Sequence, residues 1–126
     1  MVVYHEISRR KVTGGRYRLA RKKRLGNMGS LPTLTKVGNF KPKFKREKGG
    51  SLKQILLSTN KINVTNQKTK KTQTTEIVTV VENPANRNFV RRNIITRGTV
   101  LETKLGKVRV TSRPGQEGTI NGVLIS

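Results

Sequence analysis

The chain has 126 residues, with 28 Lys and Arg against 6 acidic residues, all Glu, and a net charge of +22 at pH 7. That length holds one modest domain and a tail, and a compact fold with that charge repels itself unless a polyanion neutralises it, which points to nucleic acid. The lack of any cysteine excludes a disulfide framework and a zinc ribbon, and apolar runs of only a few residues exclude a membrane span or signal-peptide core, so an intracellular protein is expected.

In chain order, Val2, Val3, Tyr4 and Ile7 are expected to dock the terminus on a surface. The single histidine, His5, reads as an exposed or satisfied side chain, and no second His or Cys stands by to build a metal site. Ser8 to Arg24 then carries nine Lys or Arg in seventeen residues and no carboxylate. Gly14-Gly15 interrupts any helical period, so this stretch reads as an extended basic arm. Its glycines let the backbone approach phosphates, and Arg9, Arg10, Lys11, Arg16, Arg18, Arg21, Lys22, Lys23 and Arg24 are the candidate phosphate ligands. Tyr17, between Arg16 and Arg18, offers a stacking face.

A glycine-rich connector, Leu25 to Leu31, leads to Pro32, so residues 1–31 are expected to form the arm and 32–126 the domain. Thr33 to Phe40 alternates weakly, as a strand does. Lys41 to Lys48 is basic again, adding Lys43, Lys45 and Arg46 to the candidates, and Gly49-Gly50 ends it as a turn. Phe44 inside this run is read as a core anchor in preference to a stacking platform. Ser51 to Leu57 reads as a strand, Ile62 and Val64 alternate as in another, and the polar stretch near 66–74 reads as an exposed hairpin tip or disordered loop.

Glu76 to Glu82 is the most apolar strand and is expected to be central. Asn83 is expected to cap a short helical turn with Pro84 at its first position. Asn93 to Thr96 reads as a strand stopped by Gly98, and Thr99 to Leu105 and Lys107 to Ser112 as a hairpin about Gly106. Arg113 to Gly118 reads as a loop and Thr119 to Ile125 as the closing strand. The sum is an all-β fold, a small closed or nearly closed barrel of about six strands with an extended basic N-terminal arm.

Catalysis fares badly in this sequence. The six Glu are scattered singly, at 6, 47, 76, 82, 102 and 117, whereas acid–base chemistry and divalent-metal chemistry both need acids in clusters. Gly14-Gly15 lacks the spacing and the following Lys-Ser/Thr of a phosphate-binding loop. No enzyme activity, metal, cofactor or small-molecule substrate is therefore expected. A membrane surface is a rival polyanion, but its binder needs an amphipathic helix with a wide apolar face, and none is legible. Arg87, Arg91, Arg92 and Arg113 stand at turns and loops of the domain. They read either as solubilising charge or, in preference, as RNA contacts, because arginine forks onto phosphate. Asn83, Asn86 and Asn88 can bond the turn's own backbone as easily as a base.

With those residues in view, the chain resembles the small-subunit ribosomal protein eight family of the archaeal and eukaryotic type. The likeness rests on Ser8-Arg9-Arg10-Lys11, Thr13-Gly14-Gly15-Arg16 and Pro32-Thr33 in the tail. In the domain it rests on Val81 to Arg87, Arg91 to Thr96 with Gly98, and Gly106-Lys107 with Arg109 to Gln116. Tyr4 to Ile7 and Asn27 to Leu31 depart from the pattern the family commonly shows. The resemblance implies a structural protein of the small ribosomal subunit, cytoplasmic and within the ribosome, whose arm threads into ribosomal RNA and whose barrel sits on the RNA surface. It also implies neighbouring ribosomal proteins as partners and no obligate homo-oligomer. The alternative on charge alone is a ribosome-assembly factor or RNA chaperone that binds transiently.

Overall fold

The computed structural model describes residues 3–5, 7–18 and 20–125; the expected docking residue Val2 lies outside them. The chain divides into two compact units, Met1–Pro32 and Thr33–Ser126.

The first unit is less extended than its composition suggests. Strand β1 (Val3–Tyr4) pairs antiparallel with β2 (Met28–Gly29), so the basic stretch between them is a loop closed at its base. The His5 N–H donates to the Asn27 carbonyl at 3.0 Å and continues the ladder. A short 3-10 turn over Leu25–Asn27 feeds the chain into β2. A Cβ at residue 29 would clash with the His5 imidazole, so the close packing of histidine on glycine explains both residues.

In the second unit the strands are β3 (Lys36–Val37), β4 (Lys41–Arg46), β5 (Leu52–Thr59), β6 (Lys61–Asn66), β7 (Lys71–Glu82), β8 (Val100–Thr103), β9 (Gly106–Val110) and β10 (Asn121–Leu124). One five-residue helix, α1 (Arg87–Arg91), lies between β7 and β8. Five strands close a barrel in the order β10-β6-β7-β8-β9, and the other three form a sheet ordered β3-β5-β4. Four barrel pairs are antiparallel; the parallel pair β10–β6 closes the ring.

Alternation sets the inward side, as it must in a barrel whose interior is filled by side chains. Ile62 and Val64 of β6, Leu101 of β8, and Val108 and Val110 of β9 are buried, joined by Leu56, Ile95 and Ile120 from flanking segments. Burial of each such side chain contributes about 1.5–3 kcal/mol. The apolar strand β7 breaks strict alternation. Its register against β8 shifts between Ile77 and Thr79 and again between Val80 and Glu82. One extra residue per bulge turns Ile77 and Val80 both inward and leaves Val78 61% exposed. At the closing pair, Gly122 faces Val64 on one side and Val110 on the other. A Cβ there would stand 2.5 Å from Val108 Cγ1 and 3.0 Å from the Arg109 carbonyl oxygen, so only glycine lets β10 approach this closely.

Some expectations are met and others corrected. The closed barrel is as expected, with five strands in its ring; Lys41 to Arg46, however, read only as basic, is a full strand of the second sheet. Asn93 to Thr96 is no strand. Asn93 has φ of 50° just past α1, and Ile94 and Ile95 are buried from a loop whose one β-type contact is the bridge from Ile94 to Lys36. The left-handed turn at Asn93 drives both isoleucines inward, which no alternating strand would do. The cap of α1 is Asn86, whose Oδ1 accepts from the Asn88 N–H at 2.9 Å. The tract near 66–74 is, of the two readings, the exposed hairpin tip: β6 runs to Asn66 and β7 starts at Lys71, with a four-residue turn between.

Asn83 has another task. Its Nδ2 donates to the Ile94 carbonyl at 3.1 Å, and its Oδ1 accepts from the Ala85 N–H and from Thr96 Oγ1, both at 3.0 Å. Thr99 Oγ1 accepts from the Thr96 N–H at 3.0 Å. Asn83 and Thr99 are buried, so this network satisfies polar groups that water cannot reach and pins both ends of the segment that bears α1.

Candidate nucleic-acid interface

Within the arm, residues 9–17 fold as a miniature hairpin. Arg10 and Arg16 form a β-bridge, the Tyr17 N–H donates to the Arg9 carbonyl at 2.9 Å, and the Lys11 N–H donates to the Gly15 carbonyl at 2.8 Å. Gly14 turns the chain with φ of +84°, a conformation costly for any side chain bearing a Cβ. The glycine pair therefore has a reason beyond close approach to phosphate: it makes the turn. Arg10 spends one guanidinium donor on the Gly14 carbonyl, from Nη1 at 3.1 Å.

The two arm tyrosines each carry a cation over the ring. Lys11 Nζ stands 5.6 Å from the Tyr17 centroid, so one of that ring's two faces, expected to be free for a base, is already engaged. Lys23 Nζ stands 4.8 Å from the Tyr4 centroid, and the Tyr4 hydroxyl donates to the Arg24 carbonyl at 3.3 Å. These contacts hold residues 23 and 24 beside β1. Every candidate of the arm, Arg9, Arg10, Lys11, Gly14, Gly15, Arg16, Arg18, Arg21, Lys22, Lys23 and Arg24, is exposed.

On the second unit Lys43, Lys45 and Arg46 lie along β4, Arg87 and Arg91 one helical turn apart on α1 with Arg92 as its C-cap, and Arg113 in the loop after β9; all are exposed. The Arg113 loop is tied to the second sheet. The Leu56 N–H of β5 donates to the Pro114 carbonyl at 3.0 Å, and Lys53 Nζ donates to Gln116 Oε1 at 2.8 Å. Arg113 is thus carried on a loop anchored to β5, the strand that also pairs with β4, while Arg87, Arg91 and Arg92 cluster at α1. Sequence reasoning left out Arg109, exposed on the outer side of β9 with Val100 and Val123 opposite it. The alternation of Lys107 to Thr111 carried the signal for it.

Six carboxylate side chains cannot relieve 28 cations. Two of the six are engaged in ion pairs among the described residues, Glu47 with Lys53 at 3.5 Å and Glu76 with Lys104. The Lys104 ammonium, which donates to the Glu76 carboxylate and attracts it electrostatically, holds that carboxyl below the usual range. Lys45 and Lys53 stand directly opposite each other across β4 and β5, an unfavourable placement that Glu47 partly relieves. Among the described residues no three His, Cys, Asp or Glu gather as metal ligands would. What the surface can do chemically is bind a polyanion through guanidinium forks and ammonium point charges.

The chain matches the family described as ribosomal protein S8e over residues 4–125. Small ribosomal subunit protein eS8 of Methanocella arvoryzae is 48% identical over 123 residues, covering 98% of each chain. The protein of that name from Nanoarchaeum equitans is 46% identical over 122 residues, 97% of this chain and 96% of its own. That of Methanococcoides burtonii is 49% identical over 118 residues, 94% of each. With nearly all of both units inside the matched span, the chain belongs to the ribosomal protein S8e family.

Proposed function

We propose that this chain is a structural constituent of the small ribosomal subunit, cytoplasmic within the ribosome, and that it supports translation by holding ribosomal RNA rather than by catalysis. Its arm and the basic groups of its barrel domain neutralise phosphates, with neighbouring ribosomal proteins alongside. The observation that carries this reading is an excess of cations that the chain cannot neutralise from within: 28 Lys and Arg face 6 Glu, and every candidate side chain is exposed to solvent. In a folded subunit, RNA helices are recognised mainly by shape, phosphate and 2′-hydroxyl contacts, so a surface of this kind needs little base readout.

Counterion release gives the test. Removing one phosphate-neutralising side chain lowers the magnitude of the salt slope of binding by about 0.7–0.9. Replacing Arg9, Arg10, Lys11 and Arg16 by Gln should flatten the slope on isolated small-subunit ribosomal RNA by about 3 to 4. A slope that does not move removes the arm from the interface. Sedimentation after a salt wash completes the test: a constituent stays on mature small subunits at one copy each, whereas an assembly factor is found on precursors alone.

A further inference from the structure

The second sheet contradicts the core-anchor reading of Phe44, whose side chain is 63% exposed. The reason is topological. β4 is the outer strand of β3-β5-β4, and on the face that is buried at Leu56, opposite Pro42, Gln54 is half-buried against Gly118 while Phe44, opposite Gln54 on the edge strand, stands in solvent. Arg46 and its cross-strand partner Leu52, itself 71% exposed, follow on the same face. Single exposed apolar side chains are ordinary on a small protein. Here an aromatic ring and a leucine at diagonal positions share one open face with an arginine, and Lys43 extends from the opposite side of the same strand.

The tip is closed by a backbone bond and an ion pair. The Glu47 N–H donates to the Ser51 carbonyl at 2.8 Å across the turn, and Glu47 is drawn to Lys53, away from the phenylalanine in register. The outer edge of β4 is poorly suited to adding a protein strand, because Pro42 offers no N–H and lysines line it. What the face fits is an unpaired base lying on the ring, with one flanking phosphate on Arg46 of the same face and the next reaching Lys43 round the open edge of β4. Aromatic rings on sheet surfaces bind single-stranded RNA in this way, since every base has a π-face.

We propose that Phe44 is a stacking platform for an unpaired RNA base, flanked by phosphate contacts from Arg46 and Lys43, so that β4 and β5 form a single-strand reader within an otherwise phosphate-binding protein. This rests on the RNA-binding function proposed above and assigns one part of the surface a different substrate, a bulged or looped nucleotide rather than a duplex.

The chain has no tryptophan, so Phe44→Trp in the full chain places a single fluorescent reporter at the site. Its emission should be quenched by a twelve-nucleotide single-stranded RNA and not by inorganic polyphosphate at saturating concentration. Phe44→Leu should weaken binding of that oligonucleotide by about 5- to 150-fold, the worth of one stacked base. Its salt slope should stay that of the parent, and polyphosphate affinity should change less than about 2-fold, because the substitution leaves every phosphate-binding cation in place. Circular dichroism of both variants checks folding, which an exposed side chain does not control. Unchanged oligonucleotide affinity together with unquenched emission overturns the stacking site while leaving the phosphate-binding function intact. Emission that shifts only in assembled small subunits, and not with naked RNA, also overturns it and gives the face to a protein neighbour. Failure of the parent chain to bind ribosomal RNA at all overturns both readings.

Discussion

Replacing Asn83 by Ala tests whether one buried side chain sets the arginine-bearing turn. Asn83 is 5% exposed and Ile94 is fully buried. The substitution removes the donor that reaches the Ile94 carbonyl at 3.1 Å and strands that oxygen away from water. An unsatisfied buried acceptor costs about 1–3 kcal/mol. The other two bonds weigh less: the exposed Ala85 segment recovers water, and Thr96 Oγ1 keeps Thr99 Oγ1 at 3.1 Å. A net loss of about 2–3 kcal/mol follows. For a unit of this size each kcal/mol moves Tm by about 4–8 °C, so calorimetry should find a fall of roughly 10–25 °C. Asn83→Asp sharpens the argument because it keeps both acceptor contacts and loses only the donor. At neutral pH its carboxylate faces the Ile94 carbonyl and destabilises the fold. Burial raises its folded pKa above the unfolded value of about 3.9. Its stability relative to the parent should therefore improve as pH falls toward 4, where the protonated acid donates again. A loss under about 0.5 kcal/mol for Asn83→Ala, typical of a surface change, or an Asp variant without that pH trend, refutes the network's role.

Gly122→Ala should cost about 1–3 kcal/mol by overpacking the barrel seam against Val108 Cγ1 and the Arg109 carbonyl; urea unfolding with an unchanged m-value checks it. Gly29→Ala should open the β1–β2 closure and speed protease cleavage in the arm, and His5→Ala in the same chain should restore protection, because the imidazole is what the new Cβ meets. The Lys104 contact lowers the Glu76 pKa in the folded chain, so its stabilisation is complete above the ordinary carboxylate range and is lost as pH falls through the lowered value. The Tm difference between the parent and Glu76→Gln should be small at pH 6, since the pair is exposed, and should close as pH falls through the lowered value.

The arm was legible from charge because nine cations without a carboxylate leave few structural alternatives. The barrel was legible from short alternating strands: Ile62 and Val64 of β6, and Val108 and Val110 of β9, lie two apart and turn inward together. Legibility failed where geometry depends on a partner strand. The bulges that let Ile77 and Val80 share a face are set by pairing with β8 and carry no local signature. The run Lys41 to Arg46 reads as basic, with Phe44 as a core anchor, because nothing local marks it as an edge strand; that edge position leaves Phe44 in solvent. A two-residue ladder such as β1–β2 is too short to leave any period, so the closure of the arm was invisible. Asn83 was recognised as a turn residue, but its choice of the Ile94 carbonyl depends on a segment eleven positions away.

These observations meet in the response to salt. A free chain with +22 net charge, in which cations far outnumber carboxylates, is dominated by repulsion, which ions screen over a length of about 10 Å at 0.1 M. Raising KCl from about 50 to 300 mM should therefore raise the Tm of the free protein, the reverse of what a fold held by surface ion pairs would do. Bound RNA stabilises the folded state by about 2.7 kcal/mol at a concentration of 100 Kd, and Kd itself rises steeply with salt. The Tm of the RNA-bound protein should consequently fall over the same range and converge on that of the free chain. Scanning calorimetry with and without ribosomal RNA measures both curves. A free-protein Tm that falls with salt would mean that the cations already have internal partners, and the surface would then lose its reason to seek a polyanion.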